Sequence, residues 1–358
     1  MGRRILSSLV APILAVLLAL VATAIVLIAT GNSLAGFFET MFAWPAPRNL
    51  VNIVNNAAIL YLAALAAAVG FRMNLFNIGV EGQYRVAVFG AAAFAGQAWL
   101  PGPLNVIVSI LIAVVLGALW AGIAAVLKVT RGVSEVISTI MLNAIAASLV
   151  AYFLRQVGVT DGNSLKTKTI PESSWVPGID LLPSAPNEVF GLSVLAVLAG
   201  IGFAVVVNRT RFGFELRATG ASESAAVASG IDVRRMVVTS MLLSGAVAGL
   251  IGLPLLFGSS HNFGTTFQAG IGFTGIAVAL LGRNHPVGIA FGALLFAFLT
   301  EQSNLLEITA RISPDIVAIT QGITVLSVVI TYEIVRRRTA AREQRQVAVQ
   351  LRTEGAAV

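Results

Sequence analysis

Apolar runs of about 20 residues, the length a helix needs to cross roughly 30 Å of hydrocarbon, recur along the whole chain. They place spans near 5–30, 51–70, 80–99, 104–127, 134–154, 189–208, 236–257, 267–282, 286–303 and 314–335. This pattern predicts an all-α polytopic membrane protein of about ten transmembrane helices. Three polar intervals punctuate it. Gly158 to Glu188 is rich in Pro, Ser, Asn and Asp, and sets an external loop at 156–188. Residues 209–235 form a short basic interval, and 336–358 a basic tail after a single transmembrane domain spanning 1–335. The Arg3, Arg4 start precedes an apolar stretch too long for a signal-peptide core, so it reads as an uncleaved first span.

Composition agrees with the pattern. Of 358 residues 57% are hydrophobic and only 11% charged, outside the range of water-soluble domains. The 34 glycines suit close helix packing in lipid, as in Gly245-Ala-Val-Ala-Gly249. The net charge of +7 is a topological signal. If the N-terminus is cytoplasmic, only Arg48, Arg155, Lys166, Lys168 and Arg311 of the 23 basic residues fall outside. That asymmetry predicts an N-in, C-in arrangement, with the basic tail near anionic lipid. Basic and aromatic residues do not interleave on a soluble face, which argues against a nucleic-acid partner. The chain has no cysteine, so disulfide and thiolate chemistry is excluded. It also lacks the G-x-x-x-x-G-K-[ST] phosphate loop and the G-x-S-x-G and H-E-x-x-H motifs, so no catalytic or metal site is expected. His261 and His285 lack partner ligands in the sequence.

Three constellations place polar groups at membrane depth. In "GFRMNLFNIGVEGQYRVAVFG", Asn74, Asn77, Gly79, Glu81, Gly82 and Gln83 interrupt hydrophobicity. Such backbone is tolerated in a membrane only where protein buries it or water lines it, which points to at least one broken or re-entrant helix. A plain turn between spans is the alternative. In "VSEVISTIMLNAIAASLVAYF", Glu135, Ser138 and Asn143 share one helical face, fit either to line a solute route or to bond a neighbouring helix. In "FGTTFQAGIGFTGIAVALLGRNHPVG", Gly270, Gly272 and Gly275 are spaced to bend a helix, and Phe267, Phe273 and Thr274 offer stacking and a hydroxyl. Helix packing with lipid-facing rings explains the phenylalanines equally well. Asn77, Glu81, Gln83, Glu135, Ser138, Asn143, Phe273 and Thr274 are therefore the expected solute-pathway residues.

The basic interval carries its own start and stop signals. Ser222 suits an N-cap, Glu223 the positive end of a helix dipole, Ala225 to Ala228 the helix, and Gly230 its end. A two-turn helix over 222–229 follows, too short to be stable alone. It fits a groove in another protein or a position on the membrane surface.

The segment "ELRATGASESAAVASGIDVRRM" resembles the cytoplasmic coupling loop of bacterial ABC importer permeases, in the superfamily that serves sugars, branched-chain amino acids and nucleosides. There the pattern R-A-x-G-x-N-P-x-A-A-x-x-x-G-I docks on the ATPase. "NLFNIGVEGQ", "SEVISTIMLN" and "GFTGIAVALLGRNHP" narrow the resemblance to the nucleoside-type branch, over about residues 50–335. It implies that Glu215, Arg217, Gly220, Ser222, Glu223, Ala225, Ala226 and Gly230 form a cytoplasmic coupling helix and its flanks. It implies an ABC ATPase partner that uses ATP and Mg, no cofactor on this chain, a second and shorter permease, and a substrate-binding lipoprotein. The implied solute is a nucleoside, with simple sugars or riboflavin-like compounds as alternatives. An ion-coupled secondary transporter working through Glu81 or Glu135 is a further alternative. Ser222-Glu223 replaces the usual Asn-Pro, and serine keeps the capping oxygen.

Overall fold

The computed structural model describes residues 2–331 other than Asn163 and Thr266, together with Ile334 and Arg337. The rest of the basic tail lies outside the described residues. Helices dominate: α1 Gly2–Ala29, α2 Leu34–Phe42, α3 Pro47–Phe71, α4 Val80–Ala95, α5 Gly102–Arg131 and α6 Glu135–Val157. An antiparallel hairpin follows, β1 Val159–Asp161 with β2 Ser164–Lys166. Then come α7 Val194–Arg209, α8 Arg211–Ala221, α9 Glu223–Ala228, α10 Val233–Gly249, α11 Leu253–Leu255, α12 Ile271–Leu281, α13 Pro286–Ala310 and α14 Pro314–Thr331. Among the described residues, seven helical segments are long and apolar enough to cross a membrane. Neither α4 nor α12 is one of them.

Contacts divide the chain into two units. In the smaller one, residues 1–43 with 302–358, Ser33 caps α2 by accepting from the Gly36 N–H at 3.1 Å. The buried Gln302 amide donates to the carbonyls of Thr40 (2.9 Å) and Ala43 (3.1 Å), which fixes the end of α2.

The larger unit, residues 44–301, is organised on α3. Leu62 to Gly70 are all buried, so this helix is apolar on every side and sits inside the bundle. Glycines let its neighbours approach closely. A Cβ on Gly275 of α12 would stand 2.7 Å from the Ala63 carbonyl carbon, and one on Gly245 of α10 would overlap the Gly117 oxygen of α5. The small-residue spacing noted in the sequence is thus helix-to-helix contact. On α5, Ile107, Leu111, Val115 and Leu119 lie one turn apart and exposed, the face a bilayer would cover.

The two ends of this unit differ. At one, α8 and α9 form a small module whose Thr210 and Ser222 cap the two helices through the N–H groups of Gly213 (3.1 Å) and Ala225 (3.3 Å). At the other, residues 158–162 and 164–191 make a cap. Its backbone bonds the 257–265 segment repeatedly, with Thr167 N–H to Phe263 O at 2.8 Å and Ile170 N–H to His261 O at 2.8 Å.

Candidate functional site

The break between α3 and α4 is where the polar sequence motifs converge. After Phe71 the chain folds back along α3, and the Leu75 N–H bonds the Gly70 carbonyl at 3.0 Å. Asn74, at φ 60°, makes the reversal. Asn77 is fully buried and works in both senses. Its oxygen accepts from Gly79 N–H and from Gln83 Nε2, both at 3.0 Å. Its nitrogen donates to Gln83 Oε1 at 3.1 Å and to Ser244 Oγ at 2.8 Å. Ser244 in turn donates to the Ala66 carbonyl at 2.6 Å, which anchors the break to α10 and α3 together. From α6, Asn143 accepts from Gly82 N–H at 2.8 Å and donates to Ile78 O at 2.9 Å. The N–H groups of Gly79 and Gly82 and the Ile78 carbonyl, freed by the missing helical turn, each find a side chain, as a non-aqueous setting demands.

Glu81 reaches the other glycine-rich motif. Its two oxygens accept from the N–H groups of Gly270 and Gly272, each at 2.9 Å. Gly270 adopts φ 83°, open to glycine and strained for other residues, and Gly272 lies against the Glu81 backbone. The carboxylate thus caps α12, where the helix dipole favours negative charge. Arg85, one turn further along α4, pairs with Glu81 at 3.1 Å. The charge count places Arg85 on the cytoplasmic side, and in the structure it lies in the second turn of α4. Capped by the Glu81 carboxylate, α12 begins at Ile271, later than the span at 267–282 implies.

The remaining expected residues separate. Glu135 pairs with Lys128 at 2.6 Å across the turn from α5 to α6. Ser138 bonds back to the Ser134 carbonyl at 3.0 Å, within its own helix. Phe273 is half exposed on α12, and Thr274 bonds the Gly270 carbonyl at 3.1 Å. Tyr84 went unnoticed in the sequence. It is buried, donates to Gln268 O at 2.8 Å and lies near the Phe267 ring at 6.4 Å, followed by Phe263 at 5.1 Å from Phe267. A cavity of about 800 Å³ among α3, α7 and α13 is lined by apolar residues such as Val54, Ala57, Val197 and Phe291, and by none of the polar groups above. Its chemistry suits hydrocarbon better than a polar solute.

The α8–α9 module contacts the same break. Gly220 packs on the backbone of Arg72 and Met73, and the Arg72 guanidinium donates to Asn284 O at 3.0 and 2.8 Å, just past α12. Burial, and then the nearby Arg217, push Arg72 below the ordinary arginine value, though an arginine stays charged. Glu215 is paired with Arg211 at 2.7 Å on the exposed surface. Ala226 is buried on the module, whereas Ser222, Glu223, Ala225 and Gly230 are exposed. Helix α9 covers Glu223–Ala228, with Ser222 as its cap and Gly230 at φ 80° beyond it.

At the capped end, His261 stacks on Trp175 with ring centres 3.9 Å apart. Burial holds its imidazole below the ordinary value of 6.5. A depressed folded-state value means that stability is full above pH 6.5 and declines as pH falls below it, through the folded value. The melting temperature of the purified protein is expected to drop on acidification from pH 7 more than that of His261→Gln. Equal pH dependence in the two proteins would refute this role.

A family model described as branched-chain amino acid transport system / permease component matches residues 49–332. The guanosine ABC transporter permease protein NupP of Bacillus subtilis (strain 168) is 35% identical over 92% of this chain and 95% of its own. The nucleoside ABC transporter permease protein NupB of Lactococcus lactis subsp. cremoris (strain MG1363) is 32% identical, covering 80% and 82%. The glucose ABC transporter permease protein TsgB13 of Haloferax volcanii is 32% identical, covering 91% and 88%. The seven apolar membrane-length helices among the described residues fit the same assignment. The chain belongs to the family of branched-chain amino acid transport system permease components and is a multi-pass protein of the bacterial plasma membrane.

Proposed function

We propose that this chain is the permease subunit of an ATP-driven importer for nucleosides, moving solute by alternating access. The observation that carries this reading is similarity over nearly the whole chain to a guanosine permease. ATP and Mg are used by a separate ATPase, the chain itself binds no cofactor, and a second, shorter permease and a substrate-binding lipoprotein complete the system. The arrangement is N-in, C-in with ten membrane segments, two of them the half-length helices α4 and α12. Phe273 and Thr274 face the route: Phe273 stacks on a nucleobase, and the Thr274 oxygen, whose own hydrogen goes to the Gly270 carbonyl, accepts from the ribose. Asn77, Glu81, Gln83 and Asn143 shape the route from behind, since their polar atoms already bond within the protein. Glu135 and Ser138 close its α6 side.

The α8–α9 module is the ATPase docking site, with Glu215, Arg217, Gly220, Ser222, Glu223, Ala225, Ala226 and Gly230 forming its surface and frame. The test is uptake of labelled guanosine by proteoliposomes containing the chain, its ATPase and its partner permease. Uptake should require ATP and the binding protein. Ala226→Pro should abolish it while expression is spared. Proline removes the Ala226 N–H bond to Ser222 O, 3.0 Å in length, and disfavours the helix by about 3 kcal/mol. Undiminished uptake in that variant would refute docking there. The similarity to a glucose permease sustains a sugar importer as the second reading. Uptake of glucose in preference to guanosine in the same assay would establish it.

A further inference from the structure

At about 1.5 Å per residue, the 16 residues of α4 reach about 24 Å and the 11 of α12 about 16 Å, so each is shorter than the roughly 30 Å hydrocarbon layer. Their first turns lie against each other, and from there they run to opposite ends of the unit. Past the end of α4, Gly96 packs on the Lys168 backbone of the cap, while just past the end of α12 Asn284 bonds Arg72 beside α8. Glu81 joins the two starts through its bonds to Gly270 and Gly272.

The α8–α9 module is wired to both halves. Met73 and Leu75 of the break share a buried cluster with Leu216 of α8 and with Met236, Val237 and Met241 of α10. A push on the module therefore reaches α4 through the break and α12 through Arg72 and Asn284. Two half-length helices pushed separately would slide past one another unless something ties their starts.

We propose that Glu81 is that tie: a positioning residue that makes α4 and α12 respond as one element when the α8–α9 module is moved by the ATPase. A carboxylate suits the task because it offers an acceptor to each of two N–H groups at a helix N-terminus, and bonds to a charged acceptor are the stronger kind. An amide of the same size has one oxygen and turns an NH₂ group toward the other N–H. The inference rests on the reading of the chain as an ATP-driven permease.

The test uses the complete complex in proteoliposomes, with wild type, Glu81→Gln and Glu81→Asp compared for uptake and ATP hydrolysis. Glu81→Gln removes the charge from both bonds to α12 and from the pair with Arg85, a loss of about a factor of ten or more, so it should take up solute at least about tenfold more slowly while hydrolysing ATP at the wild-type rate. The ATP consumed per solute would rise, which a general loss of folded protein does not produce. Glu81→Asp keeps the charge and should recover part of the coupling. Uptake and hydrolysis both matching wild type in Glu81→Gln would overturn the inference, as would a parallel loss of both in assembled complex.

A second measurement leaves Glu81 intact and covers a variant that fails to assemble. Because the chain has no native cysteine, nitroxide labels can be placed at Phe94 and Leu280, near the far ends of α4 and α12. Their distance should be the same with and without a non-hydrolysable ATP analogue, while a pair from Leu280 to Val205 on α7 should change. A shift in the first pair, or none in the second, overturns the inference. Absence of ATP-dependent uptake by wild type would instead overturn the underlying reading.

Discussion

Replacing Gly272 with alanine is expected to lower the melting temperature of the protein, and its effect should exceed that of any other glycine-to-alanine change on α12. A Cβ at this position overlaps the Glu81 backbone nitrogen and stands 2.6 Å from Glu81 Cα. Those atoms cannot yield, because Asn143 holds the Gly82 N–H and Asn77 holds that of Gly79. The helices must part, and both bonds from Glu81 to α12 lengthen or break. Overpacking costs about 1–3 kcal/mol and a charge-assisted hydrogen bond about 1.5–3 kcal/mol, so the total is about 3 kcal/mol or more. For a unit of this size that corresponds to a melting temperature lower by about 10 °C. Gly202 on the outward side of α7 has nothing within 4 Å of its would-be Cβ, and alanine there should be harmless. Equal melting temperatures for the two variants in detergent would refute the account.

Much of the fold was legible because its signals are local. Hydrophobic length located the long helices. The start and stop of α9 were read almost to the residue, since capping by Ser222 and a left-handed Gly230 depend on immediate neighbours. The break at Asn77 was visible as polarity without periodicity. What the sequence withheld were the partners. Glu81 is bonded to residues nearly 190 positions away, and no local pattern distinguishes a cap for a distant helix from a solute ligand. The late start of α12 has the same origin, because the buried Glu81 carboxylate supplies bonds that another helical turn would have made. Glu135 and Asn143 share a face as expected, yet one pairs with Lys128 in the last turn of α5 and the other with the break. Helical phase gives direction and says nothing of what waits there.

The polar residues of the break also make a prediction that separates support of the fold from recognition of solute. Asn77→Ala leaves the Gly79 N–H and both ends of the Gln83 amide without the partners they have now. Gln83 is as buried as Asn77, so water cannot easily substitute. An orphaned buried group costs about 1–3 kcal/mol in water-soluble proteins, and polar contacts between membrane helices average nearer 0.6 kcal/mol. Three orphaned groups together are then expected to cost about 2 kcal/mol. Much of that penalty comes from the stranded amide, so removing it as well should help. The double variant Asn77→Ala with Gln83→Leu should be more stable than the sum of the two single changes by about 1 kcal/mol. Denaturation of the three variants in detergent measures this coupling. The folded fraction of the double variant should retain the wild-type KM for guanosine, because these amides bond within the protein. A KM raised in proportion to the lost amides, with no stability coupling between them, would instead make Asn77 and Gln83 direct contacts of the solute.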